Sequence, residues 1–287
     1  MRVEARAKIN WTLDIIGQRD DGYHLMDMLM QPVTLSDTVT LERADAITLT
    51  TGGTPLIPAD AGNLAYRAAA ALKEATGYPG GAAIHVEKRI PAGAGMGGGS
   101  ADAAAVLWGL NRLWGLGLTQ EELERIGLTL GADVPFCLRG GLARTTGIGE
   151  VMRALPCAKD YELVVIQPCE GLSTGEVFRA YHARGQAARP DTDTAQRALA
   201  EGDAKLLAGS LGNVLQAVSE AMRPAIREAV MALEEHGAAV ALMTGSGSAV
   251  FGVFEDADAA DRAFQRLEKL YSGLWRCRTC RESVREY

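Results

Sequence analysis

Pro91-Ala92-Gly93-Ala94-Gly95-Met96-Gly97-Gly98-Gly99-Ser100-Ala101-Asp102-Ala103-Ala104 places five glycines in seven residues and then turns abruptly into a helix former. Upstream, residues 82–88 read as a strand. Downstream, Val106, Leu107, Leu110, Leu113 and Trp114 recur at helical spacing. The stretch therefore predicts strand, glycine loop, helix N-terminus. Glycine lacks a Cβ, so such a loop adopts positive φ and brings its N–H groups close to a ligand. A helix N-terminus adds unpaired N–H groups and a partial positive charge. Together they make an anion site, and the usual anion is a phosphate. Ser100 either caps this helix or offers its hydroxyl to a phosphate-bound metal.

Other phosphate loops fit poorly. Gly93, Gly95 and Gly98 satisfy G-x-G-x-x-G, but the dinucleotide fingerprint belongs after the first strand, with an acid ending the next strand. Here Glu121 and Glu122 stand at that distance and open a helix instead. No Walker lysine follows the glycines, and the His-Arg-Asp and Asp-Phe-Gly triplets of protein kinases are missing.

The chain has 287 residues, enough for one large domain or two ordinary ones. Its net charge of −7 and the lack of a Lys/Arg run argue against nucleic acid as a partner. No apolar run approaches a membrane span, and the N-terminal residues carry charges without an apolar core. Five scattered cysteines fit a reducing, cytoplasmic setting. Cys277 and Cys280 form a single C-x-x-C inside an expected terminal strand, which reads as structural rather than as a zinc or redox motif.

Along the chain, residues 5–16 read as a strand interrupted by Lys8, and Asp20-Asp21-Gly22 signals a hairpin. Residues 25–51 hold further strand-like pieces. Asn63 is placed to cap a helix that stops at Gly77, and Thr119-Gln120-Glu121-Glu122 is a capping box. Composition shifts near Pro156, which divides the chain into residues 1–155 and 156–287. The second part alternates strands (161–167, 238–243, 249–254) with helices (191–208, 223–236, 256–270), as an α+β sandwich does. Residues 187–194 are the expected mobile loop.

Three more places carry candidate chemistry. Lys8 and Asn10 lie among apolar strand residues, facing either solvent or something specific. Gly131-Ala132-Asp133-Val134-Pro135 holds a carboxylate in a tight turn, either capping a helix or acting in catalysis. Gly245-Ser246-Gly247-Ser248 either approaches a ligand or joins two strands.

Together these places, in this order, resemble the GHMP kinases, small-molecule kinases named for galactose, homoserine, mevalonate and phosphomevalonate substrates. Asp21-Gly22-Tyr23-His24, the triple glycine Gly97-Gly98-Gly99 and residues 131–135 narrow the resemblance to the branch whose substrate is 4-diphosphocytidyl-2-C-methyl-D-erythritol, in the non-mevalonate isoprenoid pathway. The resemblance implies a two-domain α+β fold, its N-terminal part like ribosomal-protein S5 domain 2 and its C-terminal part ferredoxin-like. It implies ATP and Mg²⁺ as cofactors, with the triphosphate over Pro91, Ala92, Gly93, Ala94, Gly95, Met96, Gly97, Gly98, Gly99, Ser100 and Ala101. Asn63 and Lys88 match the adenine side, and Ser100 is the candidate contact to the metal. Asp133 would take the proton of the substrate hydroxyl, with Lys8 beside it. Asn10, Tyr23, His24 and Thr174 would contact the substrate; Tyr23 offers a face for cytosine and His24 a hydrogen bond, although both also suit a plain hairpin. Ala101 and Val214 depart from the common pattern, which has serine and aspartate there. The partners implied are ATP and the small-molecule substrate, acting on a monomer or homodimer with no nucleic acid or membrane. A mevalonate or homoserine kinase, or a nucleotide-binding protein without catalysis, are the alternatives; Tyr23-His24 argue against the first and the Lys8 and Asp133 pair against the second.

Overall fold

The computed structural model describes residues 1–184 and 188–287. Strands β1 (Arg2–Gln18) and β2 (His24–Ala44) form one long antiparallel hairpin, so the strand-like pieces expected over 25–51 are largely a single strand. Gly22, at φ 88°, makes the turn. Then follow β3 (Thr48–Gly53), α1 (Leu64–Thr76), β4 (Gly81–Lys88), α2 (Gly98–Trp114), α3 (Gln120–Leu128), α4 (Val134–Arg139), β5 (Ala143–Gly147) and β6 (Val151–Ala154). The local signals act as expected: the Asn63 side chain accepts from Ala65 N–H, Gly77 closes α1 in the left-handed region, and Thr119 with Glu122 forms the capping box of α3.

The remaining elements are β7 (Glu162–Ile166), α5 (Thr174–Arg184), α6 (Thr192–Glu201), α7 (Ala204–Ala208), β8 (Gly212–Asn213), α8 (Gln216–Met222), α9 (Ala225–Glu235), β9 (Val240–Met243), β10 (Val250–Phe254), α10 (Ala257–Leu267), β11 (Leu274–Arg278) and β12 (Val284–Glu286). The helix expected over 191–208 is two helices, because Gly202 at φ 74° ends the first. Asp191 already caps α6, so the irregular stretch among described residues is shorter than the loop expected over 187–194; residue 187 lies outside the described residues.

Two sheets organise the molecule. The first runs β12-β1-β2-β4-β3, with β5 and β6 continuing from β2. The second is antiparallel in the order β11-β7-β10-β9. With α9 before β9 and α10 between β10 and β11, this is the ferredoxin-like arrangement, with α5 to α8 inserted after its first strand. Trp11 joins the sheets. It is fully buried, its ring meets Tyr161 and Phe251 edge-on at 5.2 and 5.7 Å, and its Nε1–H donates to Gln31 at 2.8 Å.

The outer edge of β1 collects distant segments. β12 pairs with residues 3–5, Lys8 N–H donates to Met96 C=O at 3.0 Å, Asn10 N–H donates to Thr244 Oγ1 at 3.0 Å, and β8 pairs with Thr12 and Leu13. An edge that would otherwise leave its backbone groups unpaired instead brings both glycine loops to one place. Those loops pack backbone to backbone: a Cβ on Gly95 would lie 2.1 Å from Thr244 O, and one on Gly245 would lie 2.8 Å from Gly95 Cα. The second loop's glycine thus serves a protein contact.

Gly95 also sits at φ 75°. Gly95→Ala is expected to cost more than the roughly 1–2 kcal/mol of a left-handed alanine, because Thr244 must also move. Gly115→Ala is the control, at φ 71° with nothing within 4 Å of its Cβ. Denaturant midpoints should fall clearly further for Gly95→Ala; equal losses would mean that the loop contact contributes nothing.

Candidate active site

A cleft of about 1030 Å³ opens where the first glycine loop meets β1, the turn after β1, α5 and the second loop. Its lining includes Lys8, Asn10, Tyr23, His24, Asn63, Lys88, Asp133, Thr174 and Ser246, together with most of residues 91–100. Candidates drawn from seven separate stretches of sequence therefore face one space.

The loop reaches it through three left-handed glycines, Gly93, Gly95 and Gly97, at φ 63°, 75° and 70°. Gly97 is the N-cap of α2, and its carbonyl accepts the first helical bond, from Ala101 N–H at 2.9 Å. The N–H groups of Gly98, Gly99 and Ser100 are left without acceptors inside the helix. Ser100 is consequently in the first turn rather than at the cap, which corrects its capping role, and its residue lines the cleft. Gly98 begins the helix at an ordinary negative φ; a Cβ there would meet Ile90 at 3.0 Å and the Lys88 ammonium at 3.4 Å. Ala101 is buried in the core, packed where the common serine would stand.

At the helix N-terminus stands the Lys8 and Asp133 pair. Lys8 and Asn10 share a face of β1 by strand alternation. Lys8 is 4% exposed; its Nζ donates to Asn10 Oδ1 at 2.8 Å and lies 3.6 Å from Asp133 Oδ2. Asn10 holds the lysine in place with its amide oxygen. Asp133 occupies the N-cap position of α4, but its side chain makes no cap hydrogen bond. Pro135 in the first turn of α4 lets the chain enter the helix there without an unmet N–H. The carboxylate is partly exposed and turned toward Lys8. A Cβ on Gly97 would sit 3.1 Å from Lys8 Cγ and 3.7 Å from Asp133 Oδ2, so the loop, the ammonium and the carboxylate converge within one contact shell.

Beneath the loop lies a second cluster that sequence reading missed. The Lys88 ammonium is buried between Asp37 and Asp102, bonding Asp37 closely and Asp102 at 2.7 Å. Asp37 also accepts from Arg89 N–H and Ile90 N–H at 2.6 and 2.8 Å. Lys88 thus lines the cleft with its charge already committed to two carboxylates. Burial, the largest influence, pulls the Lys88 ammonium down, but its two carboxylates more than reverse this and its pKa is raised. Burial raises the Asp102 carboxyl to about 8, Asp37 adding to this and Lys88 opposing it. Asp102 Oδ1 has no partner.

The outer arm holds Tyr23, 60% exposed, and His24, whose ring stacks on Phe178 of α5 at 4.3 Å. Thr174 Oγ1 lies 2.9 Å from Ser246 Oγ, tying α5 to the second loop. Asn213 braces that loop, donating to the carbonyls of Met243 and Gly245 at 2.8 Å each, and Val214 is fully buried. Phe178 on α5 lines the cleft without a sequence motif, and His182, one turn further on, is exposed outside the cleft lining. Asn63 lines the cleft while its side chain is engaged in capping α1 and in donating to Pro58 C=O. Cys277 and Cys280 are free thiols buried away from this region.

Residues 63–141 match the model of the GHMP kinases N terminal domain, and residues 195–273 that of the GHMP kinases C terminal. The chain is 42% identical over 272 residues to a 4-diphosphocytidyl-2-C-methyl-D-erythritol kinase of Alkaliphilus metalliredigens, covering 94% of each. The chain belongs to the GHMP kinase family. A relative of the same name from Moorella thermoacetica is 44% identical over 275 residues, 94% of this chain and 96% of that one. A crystal structure of 4-(cytidine 5'-diphospho)-2C-methyl-D-erythritol kinase superposes with TM-score 0.84 at 35% identity, covering 97% of this chain and 99% of that one. A homoserine kinase from Cytophaga hutchinsonii, TM-score 0.78 at 18% identity, shares the fold.

The buried triad yields a prediction about this GHMP kinase. Lys88→Met leaves the buried Asp37 carboxylate and Asp102 carboxyl without their cation and should cost about 3–5 kcal/mol in denaturant unfolding. The folded Asp102 carboxyl holds its proton to about pH 8, whereas an unfolded one releases it near ~3.9. Between those values the folded state binds more protons, so the group's contribution to stability falls as pH rises. Asp102→Asn should flatten that decline between pH 5 and pH 8; an unchanged slope would place the proton elsewhere.

Proposed function

We propose that this chain phosphorylates the 2-hydroxyl of 4-diphosphocytidyl-2-C-methyl-D-erythritol from ATP, with Asp133 as base and Lys8 as its charge partner. The chain is an ATP-dependent small-molecule kinase of the non-mevalonate isoprenoid pathway. The observation that supports the reading best is the near full-length identity to relatives of that name. The placement of Lys8 and Asp133 at the N-terminus of α2 supplies the chemistry.

In this reading Asp133 accepts the proton of the 2-hydroxyl as that oxygen bonds to the γ-phosphorus and the bond to the β-phosphate oxygen breaks. Lys8 stabilises the carboxylate and the developing alkoxide. The transition state of phosphoryl transfer is loose, so positioning contributes more than base strength. The free N–H groups of Gly98, Gly99 and Ser100 and the helix dipole receive phosphate oxygens. Asn63 borders the adenine side, and Lys88 acts there through the loop it anchors. Tyr23, His24 and Thr174 border the other substrate, and Asn10 acts on it through Lys8.

Mg²⁺ fits this donor set. It favours oxygen ligands, keeps several waters and is held by phosphates with one or two protein groups. Ser100 Oγ and the cleft-facing Asp133 carboxylate are such groups, and the described residues hold no cluster of three or more His, Cys, Asp or Glu that would form an all-protein cage. When bound, the ion would neutralise charge on the transferred phosphate. We also read residues 1–155 and 156–287 as the two domains, with β12 returning to the first, and the cytoplasm as the setting, consistent with five unpaired cysteines. Among the described residues no helix is long and apolar enough to cross a membrane.

Asp133→Asn should lower turnover by about 10²–10⁴-fold while ATP binding persists. Lys8→Ala should act on the same step, the double variant being scarcely worse than either single one. Multiplying defects in a coupled assay would mean that the two residues act separately. If Tyr23 stacks on cytosine, Tyr23→Ala should weaken the cytidyl substrate by about 10- to 100-fold with ATP affinity held. A fall in melting temperature with both affinities unmoved would reduce Tyr23 to a turn residue.

A further inference from the structure

His24 has a second histidine against it. His182, on the exposed side of α5, turns its ring so that the two Nε2 atoms meet at 2.5 Å. The ring centroids are 4.7 Å apart and the planes differ by 25°. The centroid separation exceeds the nitrogen separation by about the reach of both rings, so the nitrogens point at each other along the line of centres. This is the geometry of an in-plane N–H···N hydrogen bond, not of face-to-face stacking. The face of His24 is covered by Phe178, and Tyr181 meets His182 edge-on at 5.9 Å. Among the described residues neither ring is ion-paired with a carboxylate. Burial first, then His182, lowers the pKa of His24, which favours its neutral ring.

A neutral imidazole carries one N–H. Across an Nε2···Nε2 bond one ring must donate and the other accept, so the bond dictates the state of each Nδ1. The cytosine pairing edge offers two acceptors, O2 and N3, and one donor. Uracil presents N3–H in place of the N3 acceptor. A His24 Nδ1–H aimed at N3 matches cytosine and opposes uracil, whose N3 carries its own hydrogen.

We propose that His182 is a positioning residue for base recognition: its Nε2–H donates to His24 Nε2, fixing His24 as the Nδ1–H tautomer, a donor toward the acceptor edge of cytosine. This rests on reading the outer arm of the cleft as the cytidyl site. It assigns to α5 a role in choosing the base, and it makes His24 the uncommon tautomer, since a free histidine ring in water favours Nε2–H.

Four histidines make the test tractable by long-range ¹H–¹⁵N spectroscopy, with assignments from His24→Gln and His182→Phe. In the native protein at pH 8 without substrate, His24 should be Nδ1–H and His182 Nε2–H. In His182→Phe, which keeps an aromatic ring but no nitrogen, His24 should revert to Nε2–H. The KM for the cytidyl substrate should rise about three- to tenfold, as for one neutral hydrogen bond, and discrimination against its uridyl counterpart should fall by a similar factor. Turnover number, KM for ATP and melting temperature should hold. His182→Gln, which restores an N–H donor, should recover the KM. Nε2–H on His24 in the native protein, or an unchanged KM and base preference in His182→Phe, would overturn the proposal. A native protein that shows the expected tautomers but does not turn over the cytidyl substrate would overturn the base-reading role together with the proposed function, and is told apart because the tautomers are read without substrate.

Discussion

One buried cation holds the glycine loop at both ends. Lys88 closes β4, just before the loop, and its ammonium bonds Asp102, one turn into the helix that follows the loop. Asp37 completes the cluster from β2 and also takes the backbone N–H groups of Arg89 and Ile90. The glycine-rich chain between positions 14 residues apart is thereby closed between fixed points. Flexible glycine loses more conformational freedom on folding than any other residue, so a loop this rich in it needs such anchors to stay preorganised. Burying ions is costly and adds little net stability. What the triad provides is geometry: the loop's three left-handed glycines and the open N-terminus of α2 are held against one cleft.

The second constraint is the edge of β1. Lys8 takes Met96, Asn10 takes Thr244, and β8 and β12 pair on either side. Because the same strand presents Lys8 and Asn10 to the cleft, the backbone bonds that place both loops also place the lysine beside Asp133. Trp11, between these residues and β8 in sequence, fixes the second sheet against the first. Lys8 thus inherits its position from backbone pairing, which a side-chain substitution alone does not move.

Much of this was legible in the sequence because it rests on local chemistry. Asn63, Gly77, Thr119 and the Asp20-Asp21-Gly22 turn act through neighbours within a few residues, so their patterns predict their structure. The strand, glycine loop and helix N-terminus around residues 91–101 were legible for the same reason. Of the two readings of Ser100, the cap falls because Gly97, in the left-handed region, starts the helix earlier than a side-chain cap would. Asp37, Asp102 and Lys88 form a cluster through pairings 51 and 14 residues apart, which no periodicity reveals. Phe178 and His182 lie on a helix with no motif, and only its docking brings them against His24. Gly245 was read as a ligand-approach or hairpin glycine; the contact that requires it is the backbone of Gly95, again a long-range fact.

The most direct measurement is of the product. The chain, ATP and Mg²⁺ would be incubated with 4-diphosphocytidyl-2-C-methyl-D-erythritol, and in parallel with mevalonate and with homoserine, and followed by ³¹P spectroscopy. The expected result is loss of the ATP γ-phosphate signal and growth of one phosphomonoester coupled to C2 of the erythritol, with the cytidine diphosphate signals retained. Transfer to mevalonate or homoserine with comparable kcat/KM, or a phosphate on another hydroxyl, would contradict it.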